Sequence, residues 1–180
     1  MTRAGAHALL AVGMLLLSAG FLSAQTADER AVKAAYVFNL TKYVEWTTRG
    51  NDLLICTVGD SAMAEALQKT LSGKISETRT IRVVISPEEV QLPQCQLVYV
   101  GHDASKKALA SLEKMHGRNL LTVGDAESFA QRGGMIGLVR NGERIQIEVN
   151  MEAVQEAGLK LSSRLLNVAV LVHSVAARKD

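Results

Sequence analysis

Short apolar runs punctuated by glycine alternate along this chain with stretches of helical periodicity, most legibly between Asn119 and Leu166. Residues 120–123 are continuously apolar apart from one threonine and end on a β-branched residue, as expected of a strand buried on both faces. Gly124 turns the chain, Asp125 is placed to cap a short helix over 126–131, and Gly133-Gly134 ends it. Residues 135–139 form a second apolar run, and Asn141-Gly142 predicts a tight hairpin turn with positive φ at both residues. On the return, Ile145, Ile147 and Val149 alternate with Arg144, Gln146 and Glu148, which predicts one buried and one polar face. Asn150 is a cap for the next helix, Gly158 closes it, and Ser162 or Ser163 opens a last one. The body of that last helix, 165–172, is apolar nearly all round, which predicts burial in a core or at a subunit contact.

Upstream the same grammar recurs. A first helix follows the capping box Thr26-Ala27-Asp28-Glu29, with Val32, Ala35, Tyr36, Asn39, Leu40, Tyr43 and Val44 on one stripe. That stripe reads either as a core-packing face or, at its end, as an exposed aromatic partner patch of Tyr43 and Trp46. Strands are expected at 53–58, 80–85 and 96–100, and helices at 61–71 and 104–116. Three junctions echo one another: Val58-Gly59-Asp60, Val100-Gly101-His102-Asp103 and Val123-Gly124-Asp125. Repeated strand–glycine–helix units imply crossover connections and a parallel sheet, and the hairpin adds antiparallel pairing. The expected fold is therefore a single-domain α/β sandwich whose mixed, mostly parallel sheet is flanked by helices. Helix N-termini welcome phosphate, but an aspartate at each junction puts a carboxylate where phosphate would sit. None of the three matches GxGxxG or GxxxxGK[ST].

The first 24 residues depart from this pattern. Arg3, an apolar core over 9–22 and a small residue at Ala24 have the form of a cleaved export signal. The core is too short for a membrane span, which needs about 20 apolar residues. Arg3 is its only charged side chain, so removing residues 1–24 takes the formal net charge from +2 to +1. With no block of Lys or Arg, nucleic acid and anionic membrane surfaces are poor partners. Residues 25–180 are long enough for one domain with a sizeable core.

Export also bears on the cysteines. Cys56 and Cys95 are the only two, and an even count in an oxidising compartment argues for one structural disulfide joining the strands beside them. A CxxC redox motif is absent. His102, His116 and His173 are scattered without metal-ligand spacing, Gly59-Asp60-Ser61 lacks the second glycine of GxSxG, and no carboxylate pair is placed for acid–base work. The sequence thus predicts no enzyme, no metal and no cofactor. On the polar face of the return strand, Glu148 and Asn150, with Lys160 and Ser162 after the next helix, are candidates to line one shallow ligand site. The alternative is a solvated strand face with a surface lysine.

The ordered motifs resemble those of the YfiR family of bacterial periplasmic proteins. They are Lys33-Ala34-Ala35-Tyr36 with Asn39, Tyr43-Val44-Glu45-Trp46, Ile55-Cys56 ahead of Gly59, and Leu121–Asp125. They continue through Phe129-Ala130, Gly133–Ile136, Ile147–Asn150, Gly158-Leu159 and Ser162–Leu166. The resemblance implies a cysteine pair in this register and weight on Glu148-Val149-Asn150. It also implies a non-enzymatic periplasmic repressor that holds an inner-membrane diguanylate cyclase inactive by contacting its periplasmic sensor part, so limiting cyclic di-GMP and biofilm. The grip would depend on redox state or a small-molecule ligand. Without the resemblance, a periplasmic small-molecule-binding module serving a sensor kinase or an outer-membrane receptor remains open, as does a homodimer.

Overall fold

The computed structural model describes residues 29–46, 50–85, 92, 94–104, 114 and 119–175. The proposed signal segment, most of the capping box before Glu29 and the expected helix at 104–116 lie outside those residues, apart from Ala104 and Lys114.

Among the described residues there are ten strands: β1 (Val44–Glu45), β2 (Asp52–Val58), β3 (Ile75–Ser76), β4 (Arg79–Ile85), β5 (Leu97–Val100), β6 (Leu121–Gly124), β7 (Ile136–Asn141), β8 (Arg144–Asn150), β9 (Lys160–Leu161) and β10 (Val170–Val172). The described helices are α1 (29–40), α2 (Ser61–Leu71), α3 (Met151–Glu156) and α4 (Ser163–Leu166). Eight strands build one sheet in the order β10-β8-β7-β6-β5-β2-β4-β3, while β1 and β9 form a separate antiparallel ribbon. Within the large sheet only β7–β8 and β3–β4 are antiparallel, so the sheet is mixed and mostly parallel, as expected.

Both faces of the central strands are covered, which is why β5 reads as an unbroken apolar run and β2 as one interrupted only by Thr57 after Asp52. Leu53, Ile55, Leu97, Tyr99, Leu121 and Val123 point to the core shared with Ala34, Val37 and Leu40 of α1 and Met63, Leu67 and Leu71 of α2. The residues between them, Cys56, Val58, Val98 and Val100, pack on the opposite face with Leu92, Cys95, Leu120 and Phe129. A Cys56–Cys95 disulfide lies in that second core and ties β2 to the approach to β5.

Four local expectations change. The buried face of α1 is Lys33, Ala34, Val37 and Leu40, whereas Val32, Ala35 and Asn39 are exposed. The expected stripe holds at Leu40 and Val44, with Tyr36 and Tyr43 packed against the core, but its first turns are displaced because the buried face there carries a lysine held by ion pairs. Residues 126–133 are a series of turns, not a helix: Ser128 adopts φ 54, which breaks helical geometry. The Phe129 ring there fills the space left by Gly124 and Gly134, whose Cβ atoms would come within 2.8 and 2.2 Å of it.

The hairpin turn is Gly142-Glu143, with Asn141 still paired to Arg144 and positive φ only at Gly142 (62°), the pattern of a type II′ turn. Residues 165–172 are not one helix. After the single turn of α4 the chain becomes β10, parallel to β8 and at the sheet edge, with Val168, Val170 and Leu171 exposed. Valines at 168, 170 and 172 favour the strand, and a short apolar run carries no period that separates the two states.

Candidate functional site

The strand order reverses beside β2. The chain passes from β2 through α2 to β4 on one side, then returns to place β5 and β6 on the other. At such a switch point the loops leaving the carboxyl ends of adjacent parallel strands diverge and leave a crevice, the usual ligand position in open α/β sheets. Because β2, β5 and β6 are neighbours, the three echoing Gly–Asp junctions converge there.

The β2 and β5 turns touch backbone to backbone. A Cβ on Gly59 would lie 2.6 Å from the Ala104 nitrogen, and one on Gly101 would lie 2.9 Å from the Asp60 nitrogen, so neither position has room for a side chain. Gly59 also holds φ 71, which glycine adopts without a Cβ penalty. This approach fixes the carboxylates. Asp60 Oδ1 accepts from Met63 N at 3.0 Å as the N-cap of α2, and Asp60 N donates to Asp103 Oδ1. The other oxygen, Asp60 Oδ2, faces His102 Nδ1 at 3.5 Å, with the imidazole 64% exposed.

Asp125 behaves differently from the expected cap. Its Oδ2 accepts from Lys33 Nζ at 2.8 Å, and the same ammonium pairs with Glu29 Oε1 at 2.8 Å. Glu29 Oε2 in turn meets Arg140 Nη1 at 2.8 Å. A chain of ion pairs therefore runs from the β7–β8 hairpin through α1 to the end of β6. Asp125 is 8% and Lys33 11% exposed at the side chain. Burial opposes the Lys33 charge, but the hydrogen bonds to Asp125 and Glu29 outweigh it and raise its pKa above the ordinary lysine value. The hydrogen bond from Lys33 holds Glu29 below the ordinary carboxylate value. Below them Tyr99 is 1% exposed, and its Oη has no hydrogen-bond partner. Burial first, then the Asp125 charge, pushes that phenol well above its ordinary value, so it stays neutral. Asp125 Oδ1 is also buried without a partner. An open groove of about 470 Å³ begins at Glu29 and continues past Val32, Tyr36, Arg140, Glu143, Arg144 and Ile145.

A family model described as YfiR/HmsC-like matches residues 30–170, which takes in α1, the whole switch point and the disulfide. The chain belongs to the YfiR/HmsC-like family. Among solved structures it is similar to the ABC domain from Streptococcus pneumonia in complex with L-Trp, at 12% identity and a TM-score of 0.51, over 75% of this chain and 59% of that one. At that identity the likeness concerns the fold alone.

The residues singled out from sequence sit elsewhere in this YfiR/HmsC-like chain. Asn150 is fully buried, caps α3 through Ala153 N at 3.2 Å and donates from Nδ2 to Ala130 O and Ser174 Oγ. Glu148 is 9% exposed rather than solvated, opposite Gly137 on β7, and its Oε2 is buried without a partner. Ser162 caps α4 through Arg164 N at 3.2 Å. Lys160 is exposed and lies 4.0 Å from Glu45 across the β1–β9 ribbon. Asn150 and Ser162 thus act as helix caps, and Lys160 lies beside Glu45. Tyr43 and Trp46 are half-buried against the main core; Trp46 Nε1 donates to Thr41 O at 2.9 Å, and the Arg79 guanidinium lies over its ring.

The sequence had named all three junction aspartates, but only as separate caps. Lys33 entered only as part of a family motif, with no role, and Tyr99 was missed. Lys33 carried one signal: a lysine inside the apolar register of α1, four residues after Glu29.

Proposed function

We propose that this chain acts in the periplasm, after removal of residues 1–24, as a non-enzymatic repressor of an inner-membrane diguanylate cyclase. It would bind the cyclase's periplasmic sensor part and hold it inactive, limiting cyclic di-GMP and biofilm formation. Membership of the YfiR/HmsC-like family over residues 30–170 carries this reading. Among the described residues, no helix is long and apolar enough to cross a membrane, which is compatible with an exported protein that meets its partner by contact. Repression by contact requires tighter binding to the inactive sensor conformation than to the active one.

A surface suited to such a contact lies at the β10 edge. Among the described residues β10 pairs with β8 alone, and Val168, Val170, Leu171 and Val175 are 71%, 45%, 54% and 72% exposed beside it. An open apolar edge offers both unpaired backbone groups and side-chain area to an added segment. Leu171→Arg should therefore reduce co-purification of the exported protein with the cyclase while leaving its melting temperature nearly unchanged, since the side chain is already half in water. Retention at the wild-type level would remove this edge from the interface.

A further inference from the structure

We propose that Asp60, His102 and Asp125 form a binding site for a divalent transition-metal cation, with zinc the best chemical match. One ligand atom from each of these side chains lies within 4.8 Å of the other two. Two carboxylate oxygens and one imidazole nitrogen are a donor set that zinc accepts, at about 2.0–2.2 Å from each ligand. Only a small inward movement is required, and the exposed His102 is free to make it.

Three further observations point to a cation. Asp125 Oδ1 is buried and unpartnered although the other oxygen of the same carboxylate is held by Lys33, so one oxygen remains for a ligand. Tyr99 Oη, buried and without a hydrogen bond of ordinary geometry, faces Asp125, so a polar hydroxyl backs the cluster from inside the core. The local charge is also out of balance. Among the described residues, four carboxylates, Glu29, Asp60, Asp103 and Asp125, meet only two permanent cations, Lys33 and Arg140. Lys33 is tied between Glu29 and Asp125 and cannot serve Asp60 as well. A divalent ion would offset that excess of carboxylates, and the fold offers it the crevice at the switch point.

The test is a zinc titration of the untagged, exported, oxidised protein, followed by calorimetry or equilibrium dialysis, with magnesium as a parallel probe. One equivalent of zinc should bind, and magnesium much more weakly. Losing even an outer partner of a metal ligand costs about 10–100-fold in affinity, so His102→Ala should weaken binding by about tenfold or more. Asp60→Asn should do the same while keeping the α2 cap, since asparagine caps as well as aspartate. His173→Ala, at a separate exposed pair with Glu152, should change nothing. Three results would overturn the site: no binding in large excess, binding that survives both His102→Ala and Asp60→Asn in proteins with wild-type circular dichroism, or binding lost only in His173→Ala.

Discussion

Replacing both Cys56 and Cys95 with alanine should lower the unfolding free energy of the oxidised protein by about 4 kcal/mol, read as a fall in the urea midpoint. The cysteines are 39 residues apart, and cross-linking a loop of that length restricts the unfolded chain by an entropy worth about 4 kcal/mol on the chain-entropy model. Both are buried at the heart of the second core, against Val58, Leu92, Val98 and Val100, so the loss of packed sulfur adds to the effect. The eight-stranded sheet should persist at room temperature, because its main core on the α1–α2 face contains neither cysteine. Equal midpoints for the variant and the oxidised wild type would show that the bridge does not constrain the unfolded chain.

Lys33→Met should be comparably costly, about 3–5 kcal/mol at neutral pH, because it leaves Asp125 buried without its cation. The double variant Lys33→Met/Asp125→Asn should recover much of that loss, since removing both charges spares the uncompensated carboxylate. The pH dependence has a definite sign. Lys33 has a folded pKa above its ordinary 10.5, so its contribution is complete below 10.5 and is lost as pH rises through the higher folded value. Glu29 has a folded pKa below its ordinary 4.5, so its contribution is present above 4.5 and is lost as pH falls through the lower folded value. Urea unfolding of wild type and Lys33→Met should therefore show a gap that is constant near neutrality and narrows above pH 10.5. A single variant as stable as wild type would mean that solvent, not Lys33, satisfies Asp125.

The sheet was legible because its central strands are two-faced apolar runs that end in glycine, and that pattern has few other readings. The caps at Asp60, Asn150 and Ser162 were legible for the same local reason, since each precedes a helix whose amides need an acceptor. Failures came where length or burial broke the local rule. Residues 165–172 are too few to display a period, and Ser128 adopts a left-handed conformation beside a Phe129 ring that packs on Gly124 and Gly134. Glu148 looked solvated by alternation, yet it lies buried opposite Gly137 on the neighbouring strand. The switch-point cluster was half visible. Its three junctions repeat in sequence, but parallel pairing is non-local, and nothing in the chain says that β5 returns to the far side of β2. Lys33 and Tyr99 join the site only through that order.

The central claim is repression by contact from outside the cytoplasm, and cellular cyclic di-GMP measures it most directly. In a strain carrying a candidate inner-membrane cyclase, deleting the gene should raise cyclic di-GMP. Supplying the full chain should restore the low level, and a copy lacking residues 1–24 should fail to do so although it is expressed. Cyclic di-GMP that stays at the wild-type level on deletion, or that the signal-less copy restores, would contradict the account.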